Sequence, residues 1–186
     1  MSFTFRLSKV VQEVGVILRD APNHRFNYTM LLKMLYLADR ESLKEVGQPI
    51  SGDTPVAMPR GPVLSRICDL IRESPQISDE QGEYWNKFFE TRGYDLVLKS
   101  HPDTSYLSEY EVKKLQTIFA QYKDKSLQQM LDYVGNLPEV SKNKRGASSK
   151  NNPLEDIVVA IGRENELPEI EQNRKEDDFL TKVLGN

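Results

Sequence analysis

The sequence predicts an α+β fold that is mainly α-helical and carries a small antiparallel β-hairpin or sheet. Apolar residues recur at helical spacing in several separate segments of the 186-residue chain. A single stretch, around Arg92-Gly93, places two β-rich runs on either side of a turn. Hydrophobic residues make up 38% of the chain, which is enough to build a core.

The first two helices are predicted from their apolar patterns. An amphipathic helix is expected between Arg6 and Asp20, with an apolar face of Val10, Val11, Val14, Ile17 and Leu18. The second helix begins after Asn27, a suitable N-cap, and runs to Gly47. Because it is apolar on nearly every side, we expect it to be the central, buried helix.

A segment rich in glycine and proline follows the second helix. We call residues 47–62 the Gly/Pro loop; its composition argues against regular structure, and its length indicates a functional or a packed loop. Pro62 suits the first position of a third helix. Residues 84–91 and 94–99 are predicted to be the two strands of the hairpin.

Two capping boxes predict two further helices, over about 109–122 and 127–133. The residue pairs with this spacing are Ser108 with Glu111 and Ser126 with Gln129. Apolar spacing returns at 153–161, which predicts a last core helix.

The chain is predicted to consist of one domain and a tail. The domain, residues 1–162, contains a mobile basic loop at 141–152, which has no apolar residue larger than alanine. Residues 163–186 are an acidic C-terminal tail. Its apolar residues at helical spacing either dock in a partner's groove or fold back on the domain; they are Phe179, Leu180, Val183 and Leu184.

Charge and cysteine content narrow the class of protein. The formal net charge is -3 and the sequence pI is near 5.5, so no global positive field favours nucleic acid as a partner. Cys68 is the only cysteine, which excludes an internal disulfide. No segment has the apolar length of a signal peptide or a membrane span. We expect a cytoplasmic protein without a membrane segment, metal or cofactor.

Polar residues on the second helix form the first candidate site. Lys33, Tyr36 and Arg40 fall at i, i+3 and i+7 and so share a face, with Asp39 beside them. In a structural interpretation, these side chains hold the Gly/Pro loop by bonding its carbonyls and Asp53. In a functional interpretation, the same groups line a cleft for a ligand or partner. Both interpretations can be true together.

Other candidate sites carry weaker signals. A helix starting at Pro62 would leave the next two N–H groups free for an anion, but no Gly-rich phosphate motif accompanies them. Cys68 lies on an apolar stripe, where a buried thiol is ordinary. Neither His24 nor His101 has a second histidine at metal-ligand spacing, so only the fold could assemble a metal site.

Three segments together resemble the signature of the Panacea domain, also called the SocA-like antitoxin domain. They are LKMLYLADR at 32–40, GQPISGD at 47–53 and VAMPRGPV at 56–63. A weaker likeness extends from the first helix to about Ile161. The family pattern falls on Lys33, Tyr36, Asp39, Arg40, Asp53, Met58, Gly61 and Pro62. Arg60 departs from it, since an aromatic residue or a histidine is expected before Gly-Pro.

The resemblance implies a mainly helical fold with a small sheet, found in bacteria, phages and mobile elements. It also implies a gene often placed beside that of a toxin, which the protein neutralises. Some members bind their toxin directly, and one branch is a proteolytic adaptor that delivers the toxin to an ATP-dependent protease.

We therefore predict an antitoxin that neutralises a cognate toxin protein by direct binding, without catalysis. The second hypothesis is a proteolytic adaptor whose acidic tail contacts an ATP-dependent protease. The third is a small-molecule or nucleotide enzyme of a phage or mobile element, built around Tyr36, Arg40 and the predicted helix start at Pro62.

Overall fold

The structure, a computed structural model, describes residues 4–140 and 153–170, together with Gln172, Lys175, Glu176 and Phe179. The described helices are α1 (Leu7–Asp20), α2 (Tyr28–Val46), α3 (Ser65–Ile71), α4 (Asp79–Phe88), α5 (Glu109–Tyr122), α6 (Leu127–Gly135) and α7 (Pro153–Ala160). The described strands are β1 (Arg25–Asn27), β2 (Pro55–Val56), β3 (Val63–Leu64), β4 (Phe89–Arg92) and β5 (Asp95–Leu98). The fold is α+β and mainly helical, as predicted.

Helix α2 lies at the centre of the core, which confirms the prediction. The side chain of Asn27 caps it by accepting a hydrogen bond from the N–H of Met30 at 3.1 Å. Gly47 ends it in the left-handed conformation, with φ of 75°. The helix contacts α3, α5, α6, α7, β1 and β3, so residues on all its sides are buried.

Helix α1 covers one side of this core and packs against α4 and α5. Its predicted apolar face is buried, with Val10, Val11, Val14, Ile17 and Leu18 all at most 1% exposed. The first helix is therefore confirmed in both its extent and its buried face.

The predicted hairpin forms the middle and one edge of a three-stranded antiparallel sheet, in the order β1-β5-β4. Arg92 pairs with Asp95, which leaves Gly93 and Tyr94 as a two-residue loop. Gly93 has φ of 61° and Tyr94 does not have a positive φ, the pattern of a type II′ turn. Strand β1 was not predicted.

The predicted first strand of the hairpin is wrong over residues 84–88, which are the end of α4. Ser78 and Gln81 form a capping box that starts this helix, and Trp85 anchors it to the core at 2% exposure. The local helix signal therefore outweighs the aromatic, β-favouring composition of the segment. Strand β4 begins only at Phe89.

The third helix starts at Ser65, so the predicted start at Pro62 is wrong. The two residues after Pro62 form β3, which pairs with β2 and holds their backbone in an extended conformation. The Gly/Pro loop therefore contains one short strand, β2, which the composition did not predict.

Helices α5 and α6 begin where the capping boxes predict. Ser108 Oγ accepts a hydrogen bond from the N–H of Glu111 at 3.3 Å, and Ser126 Oγ accepts one from Gln129 at 3.2 Å. In both helices the third residue also bonds back to the cap. Helix α6 extends to Gly135, slightly beyond its predicted end.

The last predicted core helix is α7, in which Ile157 and Val158 are 4% and 0% exposed. The predicted basic loop at 141–152 lies outside the described residues. The domain boundary at residue 162 stays a prediction. Beyond it, Ile170 is 1% exposed and belongs to the core cluster, so part of the tail packs on the domain.

The contact between α1 and Pro102 gives a test of the fold. A Cβ at Gly15 would lie 2.3 Å from Pro102 Cγ, whereas a Cβ at Gly82 in α4 would meet only Ile77 Cγ2, at 4.0 Å. We predict that Gly15→Ala lowers the free energy of unfolding by about 1–3 kcal/mol through overpacking. Gly82→Ala should raise it by about 0.5–1 kcal/mol through helix propensity. Urea denaturation measures both, and equal effects would contradict this contact.

Candidate functional site

Lys33 of α2 bonds the end of the Gly/Pro loop. Its Nζ donates hydrogen bonds to the carbonyl oxygens of Gly61 and Pro62, each at 2.8 Å. The residue is 1% exposed, and this burial lowers the pKa of the ammonium group to about 8. Lys33 is therefore still mainly protonated at neutral pH, and no carboxylate of the described residues forms an ion pair with it.

A turn just before this contact presents two side chains to solvent. The N–H of Gly61 donates to the carbonyl oxygen of Met58 at 2.9 Å, which closes a four-residue turn with Pro59 at its second position. Gly61 has φ of 87°, a value that favours glycine. Met58 and Arg60 are exposed at this turn.

Asp39 holds the other end of the Gly/Pro loop. Its Oδ1 accepts hydrogen bonds from the N–H groups of Ile50 and Ser51, both at 2.9 Å, and its Oδ2 accepts one from the Ser51 hydroxyl. Burial raises the pKa of Asp39 to about 6, although these hydrogen bonds oppose the shift. The carboxylate thus satisfies loop donors that would otherwise be buried without a partner.

Asp53 joins the loop to the first turn of α3. Its Oδ1 accepts a hydrogen bond from the N–H of Arg66 at 3.1 Å, and its Oδ2 accepts one from Ile67 at 2.9 Å. Burial raises the pKa of Asp53. An internal carboxylate therefore occupies this helix start, and the candidate anion site after Pro62 does not form because no helix begins there.

Glu139 connects two residues of the α2 face. Tyr36 Oη donates to Glu139 Oε1 at 3.0 Å, and Arg40 Nε donates to the same oxygen at 2.7 Å. Tyr36 and Glu139 are 1% and 4% exposed, and burial raises the pKa of Tyr36, so the phenol stays protonated. Sequence reasoning missed Glu139, because nothing in its spacing relates it to α2.

A second missed residue is Glu13 of α1, which is 1% exposed. Its Oε1 has no hydrogen-bond partner among the described residues. Burial raises the pKa of Glu13 well above its usual range, and the nearby Asp39 raises it further. Its position on a helix face of buried valines was the available signal, since a carboxyl group there must lose its water.

The structure brings together the residues that the sequence analysis grouped at the Gly/Pro loop, apart from Met58. Lys33, Asp39 and Asp53 bond to the backbone of the Gly/Pro loop, to which Gly61 and Pro62 belong, whereas Tyr36 and Arg40 both donate to Glu139. The space beside them, between Tyr36 and Asp53, measures about 20 Å³, which is room for about one water molecule. The contacts of Lys33 and Asp39 agree with the structural interpretation, whereas Tyr36 and Arg40 bond Glu139 and not the loop.

A larger concavity lies on the other side of the loop, with a volume of about 520 Å³. The pocket is lined by three cationic residues, Lys33, Arg60 and Arg72, and by no acidic residue. Three large apolar side chains at this pocket are solvent-exposed: Met58 at 39%, Tyr94 at 76% and Leu127 at 36%. We call Met58, Arg60, Arg72, Tyr94 and Leu127 the pocket face.

The remaining candidates form no site in the part of the chain that the structure describes. Cys68 is buried in the core, as predicted, and burial raises the pKa of its thiol. The rings of His24 and His101 meet edge to face at 5.0 Å. Even so, the described residues contain no group of three potential metal ligands. None of the described helices is long and apolar enough to cross a membrane.

The tail candidates are mostly untested. Phe179 is 65% exposed. Leu180, Val183 and Leu184 lie outside the described residues, so their docking stays a prediction.

Glu139 offers a test of the structural interpretation. We predict that Glu139→Ala lowers the free energy of unfolding by about 2–3 kcal/mol, because it leaves the half-buried Arg40 without its main partner and the buried Tyr36 hydroxyl without an acceptor. Glu41→Ala is the matched control: Glu41 also pairs with Arg40, at 3.1 Å, but its side chain is 32% exposed. The control should cost less than about 1 kcal/mol. Denaturant titration measures both variants. If Glu139→Ala and Glu41→Ala lose the same free energy of unfolding, Glu139 is no more important to Arg40 than the exposed Glu41 is.

The buried acids predict how stability depends on pH. The pKa of Glu13 is raised in the folded state above its usual value of 4.5. Between these two pKa values, the folded protein binds a proton that the unfolded chain has lost. The resulting stability is present below pH 4.5 and is lost as pH rises through the folded-state pKa. The free energy of unfolding of the wild type should therefore fall between pH 5 and pH 8, and Glu13→Gln should make this fall smaller. The exposed control Glu83→Gln should leave the fall unchanged. Parallel pH profiles for the two variants would contradict the burial of Glu13.

Comparison with known proteins bears on the residues that hold the Gly/Pro loop. A family model described as antitoxin SocA-like, Panacea domain, matches residues 31–139, more than half of the chain. The match begins in α2 and ends at Glu139, so it spans the bonded cluster from its first helix to its last partner. No curated protein and no solved structure matches the chain. The chain therefore belongs to the SocA-like antitoxin family, with its Panacea domain at residues 31–139.

Proposed function

We propose that this protein neutralises a cognate toxin protein in the cytoplasm by direct, stoichiometric binding through the pocket face. Membership of the SocA-like antitoxin family supports an antitoxin-type role. The observation that carries the proposal is the gathering of three exposed apolar side chains, Met58, Tyr94 and Leu127, around one pocket.

The composition of the pocket face is typical of a protein-binding surface. Tyrosine, methionine and arginine are enriched at interfaces, and binding energy concentrates where such residues surround a pocket. Clustered apolar side chains on a surface mark interaction sites more often than scattered ones do. The residues of the pocket face therefore fit a contact with another protein.

The pocket face also rests on well-supported backbone. Met58 and Arg60 lie on the turn that Lys33 holds from beneath, and Tyr94 lies in the tight loop of the hairpin. Preorganised contact residues lose less conformational entropy on binding. Burying about 1,600 Å² in total can then give nanomolar affinity, so neutralisation needs no enzymatic turnover.

The family-pattern residues divide into two groups under this proposal. Tyr36, Asp39, Arg40 and Asp53 shape the domain from inside, because they are buried or bonded within the chain. Met58 alone among them presents an exposed side chain for contact. The tail residues Phe179, Leu180, Val183 and Leu184 remain a proposed additional contact.

Co-expression with the toxic product of the neighbouring gene tests the proposal. We expect growth to be restored, a stable complex to be purified, and rescue to persist in cells that lack the main ATP-dependent proteases. Loss of rescue in those cells, with the toxin otherwise degraded, would favour the proteolytic adaptor. Absence of a complex at micromolar concentration would refute direct binding.

Substitutions on the pocket face locate the contact. Tyr94→Ala and Met58→Ala should each weaken the complex by more than about 1 kcal/mol, the usual effect at an interface hot spot. Tyr106→Ala is the matched control, because Tyr106 is 57% exposed and does not line the pocket. Calorimetry measures binding, and circular dichroism confirms folding. If all three variants bind equally, the contact lies elsewhere on the molecule.

A further inference from the structure

Positive charge is concentrated at the pocket, although the chain as a whole is acidic. The sequence has 28 acids and 25 bases, yet the pocket is lined by Lys33, Arg60 and Arg72 and by no acid. Arg60 and Arg72 are exposed, and neither forms an ion pair with a carboxylate in the described part of the chain. Both guanidinium groups are therefore available to an anion from outside.

Lys33 adds a buried charge to the lining of the pocket. An ammonium group has three N–H donors, and two of those on Lys33 bond to the carbonyl oxygens of Gly61 and Pro62. Neutral carbonyls do not cancel its charge, and charges act over longer distances where water is excluded. The buried ammonium therefore extends the positive potential of the two arginines into the pocket.

The size and rim of the pocket show what kind of anion fits. A volume of about 520 Å³ lies in the range of about 300–1,000 Å³ that is common for sites of drug-sized ligands. Beside the two exposed arginines, the pocket is lined by three exposed apolar side chains, those of Met58, Tyr94 and Leu127. An occupant that satisfies both features carries negative charge and apolar side chains together, and it is larger than a free phosphate ion.

From this combination we infer that the pocket takes an acidic segment of the partner protein. Its carboxylates pair with Arg60 and Arg72 above the charge of Lys33, and its apolar side chains pack between Met58, Tyr94 and Leu127. The inference rests on the proposed function and specifies the chemistry of the partner's contact segment.

A peptide-binding experiment tests this preference. The probe is a short fluorescein-labelled peptide of alternating Glu and Leu, and its counterpart has Lys in place of Glu. The full-length protein should bind the acidic peptide and not the basic one, and the affinity should fall as salt is added. The double variant Arg60→Glu/Arg72→Glu should lose about tenfold or more in affinity.

A matched control separates the pocket from net charge. Arg6→Glu/Lys113→Glu changes net charge by the same amount at two exposed positions that do not line the pocket. This control should retain peptide binding, with folding of both double variants checked by circular dichroism. Equal loss in both variants would refute the inference, because the attraction would then be non-specific.

Two further outcomes are decisive. Displacement of the acidic peptide by millimolar inorganic phosphate would refute the inference in favour of a small-anion site. Capture of the toxin is then measured with wild type and with the pocket variant. If both capture it equally, the inference fails and the proposed function stands. If wild type captures no toxin, the proposed function fails, whereas the peptide result still determines what the pocket accepts.

Discussion

Buried polar groups of α2 determine the conformation of the Gly/Pro loop, and much of the domain depends on that loop. Most of the loop has no strand partner, so its backbone groups need side chains to bond them inside the core. Asp39 accepts from the N–H groups near its start, and Lys33 donates to the carbonyls at its end. The bonded loop then pairs β2 with β3 and places Asp53 against the first turn of α3.

The same arrangement explains why ionisable groups occur in the core. Removing a charge from water is unfavourable, and each buried group here is compensated in a different way. Arg40 and Glu139 pair with each other, Asp39 accepts backbone hydrogen bonds, and burial raises the pKa of Glu13, which favours its uncharged form. We interpret the cluster as specifying one loop conformation. That conformation places Met58 on the surface, where a partner can reach it.

Local signals in the sequence predicted the helices well. The stripe on α1, the Asn27 cap of α2 and the two serine capping boxes of α5 and α6 each act within a few residues, so spacing alone reveals them. The capping box of Ser78 and Gln81 is equally local, and it starts α4 despite the aromatic, strand-like composition of residues 84–88. The signal for this helix is therefore present in the sequence.

The sequence by itself determined the fold class, the central helix and the family pattern around the Gly/Pro loop, because these depend on periodicity and on contiguous residues. Only the tertiary structure brought Glu139 to Arg40, closed β1 onto β5, and placed Tyr94 and Leu127 beside Met58. These partners are far apart along the chain, and no spacing rule relates them. Burial, too, is decided by packing: it made Lys33 a support for the loop and left Arg60 and Arg72 exposed at the pocket beside it.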